Sequence, residues 1–103
     1  MSNNAASNGG NAMKRAAQKH IKRCLGTIAS KLDDKYWAEA DTEKLADKNL
    51  VIFMIKTQAP KGVLTAKEYF TYDMLDSIGE KDIDNFIKYG IEAINKRIKS
   101  EAT

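Results

Sequence analysis

The run "LVIFMI" (residues 50–55) constrains this chain more than any other stretch. It is apolar at both parities, and far too short to cross a bilayer, which takes about 20 helical residues. Such a run reads as a strand covered on two sides, by helices or by a sheet continued through a second copy. The residues after it support a strand. In "APKG", Pro60 takes the second position of a turn and Gly62 comes two residues later, which suits a type I turn closed by a glycine bulge. Beyond it "VLTAKEYFTYDM" (residues 63–74) alternates. Leu64, Ala66, Phe70, Tyr72 and Met74 share one side with Glu68 as the exception, and the mostly polar Val63, Thr65, Lys67, Tyr69, Thr71 and Asp73 share the other. The two segments are predicted to form a β-hairpin. A competing pattern lies in the same residues. "TAKE" is a capping box with Thr65 at the N-cap, and a helix from Ala66 to Ile78 would end at Gly79.

Helical periods flank this region. In residues 79–100, Ile83, Phe86, Ile87, Ile91, Ile94 and Ile98 make one stripe. Acids (Glu80, Asp82, Asp84) stand in its first turn and bases (Lys96, Arg97, Lys99) in its last, matching the helix dipole. From Met13 a second stripe runs through Ala17, Ile21, Cys24, Leu25, Ile28 and Leu32. That helix stops near "LDD" or runs on toward Tyr36 and Ala40. Between them, "DTEKLADKN" offers Asp41 or Thr42 as N-cap and Asn49 as a left-handed end, which predicts a short helix. The expected fold is therefore α+β: an N-terminal basic amphipathic helix, a short helix, a β-hairpin and a long C-terminal helix. An all-α four-helix bundle is the alternative. Residues 1–12, "MSNNAASNGGNA", cannot offset their ordering entropy and read as a disordered tail before a single domain over residues 13–103. An isolated hairpin is marginal in water, so its uncovered edge is a reason to expect a homo-oligomer, most simply a homodimer.

Charge is distributed unevenly. The first 35 residues carry seven bases and two acids, a net +5, whereas the rest carry ten bases and twelve acids, a net −2. Lys14, Arg15, Lys19, Lys22 and Arg23 concentrate the excess on the flank and far side of the first helix. Clustered Lys and Arg on one face suit contact with backbone phosphates, and equally suit an acidic protein surface. Arg is scarce, with three in the whole chain, which disfavours base-specific reading. There is no glycine-and-lysine pattern of a double-stranded-RNA module and no signature of an RNA-recognition sheet. A solvated face that keeps the chain soluble is the plain alternative.

Catalysis finds no foothold. His20 and Cys24 are spaced i, i+4 as metal ligands can be, but two ligands are too few for a structural zinc site. As a nucleophile Cys24 lies on the apolar stripe, where burial blunts a thiol. The acid pairs Asp33–Asp34 and Asp82–Asp84 have ordinary places at helix ends, and no glycine-rich phosphate loop occurs. The expectation is a small binding protein without catalytic residues, metal or cofactor, working in the cytoplasm as a lone cysteine suggests, with no membrane span or secretory signal. Nucleic-acid binding through the basic helix leads. A protein-interaction module, or a regulatory or inhibitory subunit of a larger assembly, is the alternative, with Trp37 and Tyr69 as its interaction surface. Trp37 has a competing and slightly preferred reading as the plug at one end of the core.

Overall fold

The computed structural model describes the backbone of residues 2–102 and the side chains from Arg15 to Ala102. Helix α1 spans Ser2–Ser30, followed by strands β1 (Tyr36–Leu45), β2 (Lys48–Ala59) and β3 (Gly62–Thr71). A short 3-10 helix (Tyr72–Ser77) then leads into helix α2 (Glu80–Ala102). The strands form one antiparallel meander in the order β1-β2-β3. Both helices lie on one face of it, α1 toward β1 and α2 toward β3. The fold is α+β, and the all-α alternative is not adopted. The segment 1–12, expected as a disordered tail, enters helix α1 at Ser2, and its side chains and that of Lys14 lie outside the described residues.

The predicted hairpin is present with its turn. Ala59 pairs with Gly62, leaving Pro60 and Lys61 as the loop, and Gly62 takes φ 134°, a conformation that strains residues with a Cβ. The capping box at Thr65 is not used, because β3 pairs with β2 along its whole length. Strand β3 stops at Thr71, however. Tyr72 to Ser77 turn into the 3-10 helix, so Met74 is exposed rather than on the inner face and Leu75 is buried instead.

The short helix expected over "DTEKLADKN" does not exist. Residues 41–45 finish β1, Ala46 and Asp47 make a two-residue loop, and β2 begins at Lys48. Capping signals there are local and weak, and ten paired positions with β2 outweigh them. The loop lacks the Asn-Gly or Asp-Gly usual in such turns, and Ala46 itself takes φ 56°. The first helix ends at Ser30 and does not run on toward Tyr36, because Lys31 and Leu32 close its last turn by donating to the Ile28 and Ala29 carbonyls.

Strand β2 is thus central, and the edge argument for a second copy moves to β1 and β3. The core lies between the sheet and the helices. Val51, Phe53, Ile55, Thr57 and Ala59 of β2 meet Cys24 and Ile28 of α1 and Ile83, Phe86 and Ile94 of α2 there. Phe53 and Phe70 pack edge to face at 5.8 Å. Thr57, the buried polar residue of β2, donates to the Lys35 carbonyl at 2.7 Å. Gly90 lets α2 press onto the sheet. A Cβ there would stand 3.2 Å from Ala66 Cβ and 3.3 Å from Ile55 Cδ1.

Candidate interaction surfaces

The basic helix divides into residues with different work. Arg15, Lys19 and Lys22 are exposed, and spacings of four and three put them on one outward stripe spanning roughly 10 Å of helix axis. Among the described residues none of the three makes an ion pair. Arg23 behaves otherwise. Its guanidinium donates to the Leu75 carbonyl at 3.2 Å and to the Ile78 carbonyl at 3.4 Å from both terminal nitrogens. These carbonyls close the 3-10 helix, whose C-terminal end favours a cation. Arg23 therefore ties α1 to the segment that launches α2, whereas sequence alone groups it with the phosphate-binding set. Lys31, nine residues beyond Lys22, sits against acids of α2, 2.7 Å from Asp84 and 3.2 Å from Glu80. Those hydrogen bonds raise its ammonium above the ordinary lysine value.

The bases at the end of α2 do not extend the stripe. Ile98 and Glu101 lie by the β2–β3 turn, next to Pro60 and Lys61, while Arg23 is fixed to the opposite end of the segment entering α2. Beside Arg23 and Lys31 the surface turns acidic with Glu80, Asp82 and Asp84. Cys24 is completely buried, which pushes its thiol up against a smaller opposing effect of Arg23. His20 stays half-exposed on the same helix. Among the described residues no three His, Cys, Asp or Glu side chains come together.

The second surface is the face of the sheet without helices. Alternation places Trp37, Glu39, Asp41 and Glu43 of β1 there, with Leu50, Ile52, Met54 and Lys56 of β2 and Val63, Thr65, Lys67 and Tyr69 of β3. Three large apolar residues on this face stay in solvent: Trp37 at 38%, Val63 at 49% and Tyr69 at 51% of full exposure. Trp37 is not the core plug. Its neighbour Tyr36 points inward, buried, with its hydroxyl 3.4 Å from Asn95 Oδ1. The indole Nε1 of Trp37 donates to Glu39 Oε2 at 2.8 Å, and Lys56 Nζ holds Glu39 Oε1 at 3.0 Å. Both carboxylate oxygens are occupied. The indole bond and then the lysine hold the Glu39 carboxyl below its ordinary value. Trp37 and Tyr69, the pair that the sequence suggests as an interaction surface, do share one face, two strands and four residue levels apart. Their companions Ile52 and Met54 carry no such signal in the sequence, since only the register of β1 places them alongside.

No helix among the described residues is long and apolar enough to cross a membrane. Comparison with family models, with curated proteins and with solved structures finds no match to this chain.

Proposed function

We propose that this chain is a non-enzymatic binding protein whose recognition surface is the open sheet face, and that its partner is another protein. One observation carries the reading. Trp37 stands in solvent on a regular strand while its indole is tied to Glu39 and, through it, to Lys56. An aromatic ring fixed before binding loses little conformational freedom when covered, which is how interface anchors gain affinity. Val63, Tyr69 and Met54 supply apolar area around it, and Asp41 and Glu43 on β1 favour a partner with bases at that flank. A single buried cysteine suits a reducing compartment such as the cytoplasm.

A second reading, nucleic-acid binding, has its own support in the stripe of Arg15, Lys19 and Lys22, none of which makes an ion pair among the described residues. Three phosphate contacts imply a salt slope of about −2.7 for duplex DNA, or roughly a fortyfold loss of affinity between 50 and 200 mM salt. Two variants separate the readings: Trp37→Ala with Tyr69→Ala, and Arg15, Lys19 and Lys22 each changed to Glu. Fluorescence anisotropy with duplex DNA, single-stranded DNA and RNA reads the second, and cross-linked partner capture reads the first. Salt-steep binding abolished only by the charge reversal makes the helix the functional surface. Capture abolished only by the aromatic pair, with no nucleic-acid binding at low salt, makes it the sheet. Sedimentation across a concentration range tests whether that partner is a second copy, which a species of twice 11.5 kDa lost in the aromatic variant would establish.

A further inference from the structure

Glu68 breaks the apolar side of β3. It stands on the helix-facing side between Ala66 and Phe70, two residues from each. Beside it a groove of about 490 Å³ opens between β3 and α2, lined by Glu68, Phe70, Asp82, Phe86, Tyr89 and Gly90 among others. Glu68 is exposed at the mouth of this groove, where the desolvation it does suffer raises its carboxyl and the nearby Asp82 acts in the same direction. Asp82 already accepts a hydrogen bond from the Gly79 N–H at 2.9 Å, whereas Glu68 has no basic partner among the described residues. Lys67 also reaches the groove rim, but alternation directs its side chain to the open face of the sheet. An acid at the rim of a groove lined by aromatic residues, with no cation beside it among the described residues, is open to one brought by a partner. Departures from local sequence logic of this kind concentrate at functional sites.

The groove borders a free strand. The order β1-β2-β3 leaves β1 and β3 as edges. Edges that are to stay unpaired are commonly blunted by charge, and β1 carries Glu39, Asp41, Glu43 and Lys44 in close succession. The first half of β3, Gly62 to Ala66, carries no charge.

We propose that the β3 edge and its groove receive a basic, extended segment of a partner protein, which adds as a fourth strand and sets one Lys or Arg against Glu68. Strand addition supplies main-chain hydrogen bonds, and alternate side chains of the added strand supply specificity. The position facing Glu68 is basic, and those two residues to either side face Ala66 and Phe70 and are apolar. The recognised pattern is therefore apolar–x–basic–x–apolar. Tyr89, exposed at the groove, favours a cation through its ring face, and Lys88 Nζ already lies 5.7 Å from its ring centre. This site lies on the helix side of β3 and does not depend on the open sheet face.

The test is an amide NMR titration at neutral pH with the capped peptide threonine–valine–threonine–arginine–threonine–valine–threonine. Its palindromic order fits β3 in either direction. Saturable shifts confined to residues 62–71 and 82–93, and an affinity about tenfold weaker for Glu68→Gln, support the proposal. The same peptide with glutamate in place of arginine should not bind. No saturable shift at millimolar peptide overturns it, as do equal binding of the glutamate peptide or shifts mapping to β1. Thermal unfolding of Glu68→Leu gives a second check: a higher Tm than the parent supports a binding role, and a lower one assigns Glu68 to folding and overturns the proposal.

Discussion

Strand β2 has two faces of similar composition and different fates. Val51, Phe53 and Ile55 are sealed under the helices, whereas Leu50 and Met54 on the other face are half-covered and Ile52 is shielded only by its neighbours in the sheet. Both helices lie on the same side, so no described element covers the second face. One apolar face belongs to folding, and the other is available to a partner. α1 shows a similar division, with Arg23 engaged in holding the fold and Lys22, its neighbour, left in solvent.

The sharpest way to break the first comparison is a pair of truncations. Phe53→Ala should lower stability by about 3–5 kcal/mol in urea unfolding. Met54→Ala should cost about 1 kcal/mol or less, because its site is already partly wet. Equal losses would mean that the open face is covered in solution, and sedimentation would then show by what. Gly90→Val probes the closeness of the helix layer. Two contacts inside 3.4 Å leave no room for a branched side chain, so a loss of about 2–3 kcal/mol is expected, with a smaller effect for alanine.

The two neighbours on α1 give the next contrast. Arg23→Ala removes the donors to the Leu75 and Ile78 carbonyls and should cost about 1–2 kcal/mol. Lys22→Ala should stay within about 0.5 kcal/mol. If the two losses were equal, Arg23 would have no more structural work than its neighbour.

The smallest effect concerns Glu39. Its folded pKa is depressed, so the stability it contributes is present above the ordinary value of 4.5 and is lost as pH falls through its lower folded value. Acid titration should therefore release the indole, and Trp37 is the only tryptophan, so emission reports it directly. A change in fluorescence below pH 4.5 that is absent in Glu39→Gln is the expected result. Lys31 behaves in the opposite sense. Its pKa is raised, so its contribution is present below 10.5 and lost as pH rises beyond its folded value.

Much of the architecture is legible in the sequence. The stripe of isoleucines in α2, the turn at Pro60 and Gly62, and the alternation of β3 each carry their own local signal. β1 carries almost none. "YWAEADTEKL" mixes charge with small residues, and its loop is an alanine in a left-handed conformation, so only pairing with β2 makes it a strand. The candidate surfaces divide the same way. Exposure of Arg15, Lys19 and Lys22 follows from helical period. The capture of Arg23 by two carbonyls more than fifty residues away does not.

By itself, then, the sequence determined the two long helices, the second hairpin and the uneven charge, because periodicity, turn chemistry and composition act over a few residues. Tertiary structure alone decided that β2 is central, that Trp37 faces solvent while Tyr36 is buried, and that Glu68 lines a groove. Each of those depends on which strand pairs with which and on which face the helices choose, and such contacts join residues too far apart in the chain to leave a local mark.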